Sequence, residues 1–177
     1  MPLSILEKYY PVGSLAHELL LKHSRDVAAK AVALAQRHPE LEIDEEFVYE
    51  AAMLHDIGIF MTDAPSIGCY GEYPYVCHGY LGAELLRREG LPRHALVAER
   101  HTGAGISIKQ IEQKKLPLPL RDMRPVSLEE QLICYADKFY SKSKPNREKS
   151  VERILESMER WGKGSLTRFE AWHELFG

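Results

Sequence analysis

From Ser14 to Arg37 the apolar side chains return every three or four positions, with Leu15, Leu19, Leu20, Val27, Ala31 and Leu34 on one face. That period belongs to an amphipathic helix and not to a strand, whose faces alternate at every second residue. The same spacing recurs along most of the chain, and no stretch reads as a paired strand. The pattern therefore predicts an all-α fold, a helical bundle of about six to eight helices forming one domain over residues 1–177. Its main body would span about 15–142, with C-terminal helices at 147–177 packed on it.

Punctuation residues place the elements. Pro39 stops the first helix, and Asp44 reads as the N-cap of a second, with Ile43 and Val48 set as a hydrophobic staple and Gly58 as its end. A Gly/Pro/Tyr-rich segment from Phe60 to Cys77 follows as a long loop. A helix from His78 to Glu89 is closed by Gly90, and Pro92 opens another that ends at His101-Thr102-Gly103. Ser107 with Gln110, and Ser127 with Glu130, form capping boxes. The second box starts a long helix, LEEQLICYADKFYSKS, that Pro145 ends. Trp161, Phe169 and Trp172 continue helical stripes that read as core or as a subunit contact, which leaves room for a homodimer.

Bulk properties exclude several function classes. A net charge of −3 supplies no basic field for nucleic acid or an anionic membrane. No apolar run reaches the ~18 residues of a membrane span. Three cysteines without a CxxC spacing suggest reduced thiols in a cytoplasmic protein. Eight histidines are the unusual feature.

Their placement carries the chemistry. In AAMLHDIG, His55 and Asp56 end an otherwise apolar run, where burying them costs several kcal/mol unless something satisfies both. His23 lies on the core stripe of the first helix, His78 opens a helix, His101 closes one, and Asp137 follows Ile133 by four. Any one of these alone reads as an ordinary buried polar residue with a local partner. Together, four imidazoles and two carboxylates would give three side-chain ligands to each of two metals, with positions left for water and substrate. Asp56 would bridge the metals, His55 would bind one of them, and the helix end at Gly58 would relax the geometry. The His-rich set favours divalent transition metals, Fe or Mn first, then Zn, Co or Ni, over Ca or Mg.

KHSRDVA, LHDIG and YADK resemble the His, His-Asp, Asp pattern of the HD-domain superfamily of metal-dependent phosphohydrolases. CHGYLGAELL and ERHTGAGI are similar to the two further histidine segments of its dinuclear members, including small bacterial diadenosine-tetraphosphate hydrolases and archaeal HDIG proteins. The resemblance implies metal ligation by His23, His55, Asp56, His78, His101 and Asp137, with Asp56 and His55 at the catalytic centre. It implies a metal-generated hydroxide cleaving a phosphomonoester or phosphoanhydride of a nucleotide or similar small molecule. Two other readings share these ligands: a di-iron oxygenase acting on a small organic substrate, and a nucleotide-binding module without turnover. Ile59 departs from the pattern, because many HDIG proteins carry a phosphate-binding base there. Lys138, Lys109 and Arg147 are candidates to supply that charge, Thr102 to donate a hydrogen bond, and Tyr73, with Tyr70 and Tyr75, to stack on a base from a lid over 60–77.

Overall fold

Side-chain caps define the helix starts. Backbone N–H groups of His17, Phe47, Gln110, Glu130 and Arg153 donate to the side chains of Ser14, Asp44, Ser107, Ser127 and Ser150, each satisfying a donor that the first helical turn leaves open. The computed structural model describes residues 1–177, with nine α-helices. These are α1 (Pro2–Tyr9), α2 (Leu15–Arg37), α3 (Glu45–Leu54), α4 (His78–Arg88), α5 (Pro92–Arg100), α6 (Ile108–Lys114), α7 (Leu128–Asp137), α8 (Val151–Trp161) and α9 (Lys163–Phe176). The architecture is all-α, as the periodicity predicts. Helix α2 packs along α3 and α7, α4 packs along α5, and α9 lies on α7 and α8. One contiguous apolar core runs from Ile5 and Leu6 through Val27, Leu54 and Ile133 to Phe169, Trp172 and Phe176. No helix is long and apolar enough to cross a membrane.

Several boundaries differ from the sequence expectations. Helix α1 was not expected; Tyr10 at its end is buried and donates its hydroxyl to Ile57 O at 2.7 Å, while accepting from Phe60 N–H at 3.1 Å. Helix α3 stops at Leu54, not at Gly58, and residues 57–61 form a 3₁₀ turn. Gly58 therefore has a different task from ending a helix. A Cβ there would lie 2.2 Å from His78 O and 2.5 Å from Gly82 N, so the missing side chain is what lets α4 close on the HD segment. The 60–77 loop is not without strands, because Asp63–Ala64 (β1) and Cys69–Tyr70 (β2) pair antiparallel. Helix α7 ends at Asp137, with turns carrying the chain on to Pro145. Only half of the second capping box forms: the Glu130 carboxylate accepts from Val126 N–H and pairs with Arg100 at 2.8 Å. The Ser107–Gln110 box is complete.

Candidate metal centre

Five helix ends or faces deliver polar side chains to one buried point. His23 comes from the middle of α2, His55 caps α3, Asp56 follows it, His78 opens α4, His101 caps α5 and Asp137 closes α7. All six are at most 9% exposed. Their donor atoms form two sets that share one residue. The first holds His23, His55, Asp56 and Asp137, the second Asp56, His78 and His101, and within each set the donor atoms lie within 4.8 Å of one another. Asp56 presents one oxygen to each: Oδ2 lies 3.2 Å from His23 Nε2 and 3.1 Å from His55 Nε2, and Oδ1 lies 3.3 Å from His78 Nε2 and 3.2 Å from His101 Nε2. Asp137 Oδ1 approaches His23 Nε2 at 3.0 Å and His55 Nε2 at 3.3 Å.

These rings are oriented from behind. Nδ1 of His55, His78 and His101 meets the carbonyl three residues earlier, on Ala52, Tyr75 and Ala98, at 2.6, 2.6 and 2.7 Å. A carbonyl only accepts, so each Nδ1 carries a hydrogen and each Nε2 is directed inward, where a metal would take the place of any proton on it. His78 Nε2 and His101 Nε2 then face each other at 3.0 Å. Two inward nitrogens at that distance need a proton or a metal cation between them. Asp56 is unsatisfied in the same sense, since neither of its buried oxygens has a partner at hydrogen-bond geometry despite the imidazoles around it. The donor set and these orphaned atoms fit divalent metal ions.

Charge in the metal-free cluster is arranged accordingly. Burial acts to lower the His55 imidazole, but Asp56 and Asp137 outweigh it and hold it at about 10. Burial, reinforced by the charges of His55 and His78, lowers His101 to about 4. Burial acts to raise both carboxyls, yet Asp56 is held well below its usual range by His55 and Lys142, and Asp137 by Lys138 and its histidine partners. Lys142 Nζ lies 2.7 Å from Asp56 Oδ2, on the side facing His23 and His55.

The surroundings sort the other expected residues. A cleft of about 560 Å³ reaches Asp137 and is lined by Lys138, Lys142, Tyr75 and the 63–67 segment. A second opening reaches His78 and His101 past Thr102, Lys138 and Trp161. Lys138 and Thr102 thus stand at the site; Lys138 also donates to His101 O at 3.0 Å and pairs with Asp137. Lys109 and Tyr73 line neither opening. Lys109 is exposed on α6, whose inward positions are taken by Gln110 and Ile111. Tyr73 is exposed beside the 61–63 segment that its backbone pairs with. Tyr75 takes the place expected of Tyr73, with its ring centroid 4.6 Å from that of His78. Ile59 belongs to the buried apolar core and lines neither opening. Sequence reasoning missed Lys142. Its only signal is a spacing of four from Lys138, and the turns after Asp137 that aim it at Asp56 have no local signature. Phe169 and Trp172 are core, whereas Trp161 reaches the mouth.

Known proteins resemble this chain in sequence or in fold. An uncharacterized protein of Methanocaldococcus jannaschii is 37% identical over 127 residues, covering 70% of this chain and 68% of that protein. A tRNA (cytidine(56)-2′-O)-methyltransferase of Picrophilus torridus is 33% identical over 127 residues, or 71% of this chain, and a protein of the same name from Thermoplasma volcanium is 32% identical over 140 residues, or 78%. This chain spans 33% and 36% of the length of those two. In fold it resembles the HD domain of the L. monocytogenes phosphodiesterase PgpH, with a TM-score of 0.57 at 20% identity over 94% of this chain and 87% of that one. The HD domain profile matches residues 20–141, well over half of the sequence and all six clustered side chains, and the chain belongs to the HD-domain family.

Proposed function

We propose that this chain is a metal-dependent phosphohydrolase that cleaves a phosphomonoester or phosphoanhydride of a nucleotide or similar small molecule. The observation that carries the reading is Asp56, whose two oxygens face two separate imidazole sets. His23, His55 and Asp137 would hold one metal, His78 and His101 the other, and Asp56 would bridge them. Fe or Mn suits these donors best, with Zn, Co or Ni also accommodated. When bound, such metals supply Lewis acidity that lowers the pKa of water and offsets charge on phosphoryl oxygens.

The chain's own residues have defined tasks around that chemistry. Carbonyls of Ala52, Tyr75 and Ala98 keep the three rings in one tautomer and orientation. Lys142, which a bound metal would displace from Asp56, would then have its ammonium at the mouth to pair with a phosphoryl oxygen, and Lys138 neutralises Asp137 beside it. Thr102 borders the same opening and can donate to substrate. The 63–67 segment and Tyr75 wall the cleft and limit water. Two half-buried lysines at the mouth favour an anionic substrate over the small organic substrate of an O₂-dependent reaction, and the full donor set argues against a module without turnover. Methyl transfer, named for two relatives, is not carried over, since the matched length is about a third of those proteins.

The test is a panel of phosphomonoesters, dinucleoside polyphosphates, cyclic nucleotides and phosphate-terminated RNA oligonucleotides, run with Mn, Fe, Co and Mg under air and under nitrogen. Hydrolysis of a P–O bond, read as free phosphate from monoesters or as the product nucleotides from cyclic and dinucleoside substrates, that persists without oxygen and disappears in Asp56→Ala supports the reading. Oxygen-dependent product formation without P–O cleavage would replace it with the oxygenase.

A further inference from the structure

Beside the metal-site cleft lies a second pocket of about 440 Å³ that the proposed mechanism does not use. The two share Ser141, Ser143 and Lys149, so they form one continuous groove. Lys144, Arg147, Lys149, Arg153 and Arg160 line the second pocket, and no apolar side chain does. None of these five cations has a carboxylate within 4.0 Å, in a chain whose net charge is −3. The one carboxylate on the pocket wall, Glu148, is engaged by Lys30 at 2.5 Å. Partial burial, together with the nearby charges of Lys138, Lys142 and Arg153, pushes the Lys149 ammonium down against the opposing pull of Asp137. Five unpaired cations repel one another at a cost that an anion would remove.

The composition of the wall identifies that anion. The wall has no aromatic or aliphatic side chain to hold a base by apolar contact, whereas its guanidinium and ammonium groups and serine hydroxyls match phosphoryl oxygens. Resting on the reading of the adjoining site as a phosphohydrolase, we propose that this groove binds a non-scissile phosphoryl group, so that the substrate carries at least two phosphoryl groups. One lies at the metal centre and another among Arg147, Lys149 and Arg153.

The probe is inorganic tripolyphosphate, titrated by calorimetry into chelator-treated, metal-free protein. Wild type and Asp56→Ala are expected to bind it alike. Arg147→Ala/Arg153→Ala should bind it at least about tenfold more weakly and with a shallower salt dependence, while Arg147→Lys/Arg153→Lys retains most of the affinity. Both arginines are exposed, so the fold should tolerate either change. No binding by wild type, or equal binding by the double alanine variant, would overturn the groove. Because this titration needs neither metal nor turnover, it decides the groove even if no phosphoester is hydrolysed, which would instead remove the hydrolase reading. With an active substrate pair, the double alanine variant should raise KM for the bisphosphorylated compound alone and leave kcat and the monophosphate KM unchanged. Equal losses on both compounds would again overturn it.

Discussion

Gly58→Ala offers a sharp perturbation, because one methyl group connects packing to the site. Its Cβ would sit 2.2 Å from His78 O, 2.5 Å from Gly82 N and 2.9 Å from Gly82 Cα, where ordinary contact begins at 3.4 Å. All three are backbone atoms in the first turns of α4, so no flexible side chain can give way. The helix must retreat by roughly 1 Å, and overpacking of this kind costs about 1–3 kcal/mol, here at the upper end. At about 2–4 °C per kcal/mol for a chain of this size, the melting temperature should fall by roughly 6–12 °C. The same retreat carries His78 away from Asp56 and His101, now 3.3 and 3.0 Å from it. Metal ligation tolerates only about 0.2 Å, so the His78/His101 set should lose its ion while the His23/His55 set keeps its own. Circular-dichroism melts of chelated protein and elemental analysis of loaded protein measure the two effects. A melting temperature within 2 °C of wild type, with full metal content, would refute the packing argument and the role given to Gly58.

Further outcomes follow from the charges and caps. His55, held at about 10 in the metal-free cluster, is protonated at neutral pH, so a metal must displace its proton. Metal affinity measured by chelator competition should therefore rise about tenfold per pH unit between pH 6 and 8, and a flat profile would contradict the assignment. Lys142→Met leaves buried Asp56 without its ammonium partner, which costs about 3–5 kcal/mol for a fully isolated pair. His55 shares that carboxylate, so the loss should fall at the low end. It should appear in melts of metal-free protein and shrink when metal is added; an equal loss in both states would show that Lys142 does not occupy a metal's place. Ser127→Ala removes the cap accepted from Glu130 N–H at 3.1 Å. About 1 kcal/mol should be lost in thermal unfolding, with metal content unchanged.

The helical period made the all-α architecture legible, and the six clustered residues stood out because charged groups interrupted apolar faces. What stayed hidden is instructive. Gly58 looked like a helix stop, since a glycine after an apolar run signals a C-cap; its close approach to α4 is a tertiary fact with no local signature. Helix α1 escaped because Pro2–Tyr9 is too short for a period to show, with only Ile5 and Leu6 reaching the core and the Tyr10 hydroxyl fixing its end. Lys142 was invisible because the chain leaves α7 at Asp137, and only the turns that follow bring its ammonium back over Asp56. Tyr73 and Tyr75 were indistinguishable in a loop without a period. The small β1–β2 pairing, set by contacts between residues 61–64 and 69–73, decides which of them faces His78.

The bridge proposed for Asp56 joins two metal positions. Elemental analysis of carefully loaded protein, with native mass spectrometry of the same samples, tests it. Wild type should carry two transition-metal ions per chain, and Asp56→Ala, which removes the one residue common to both sets, should carry at most one. A wild type that takes up no metal under any loading condition, or an Asp56→Ala variant with the full complement, would contradict it.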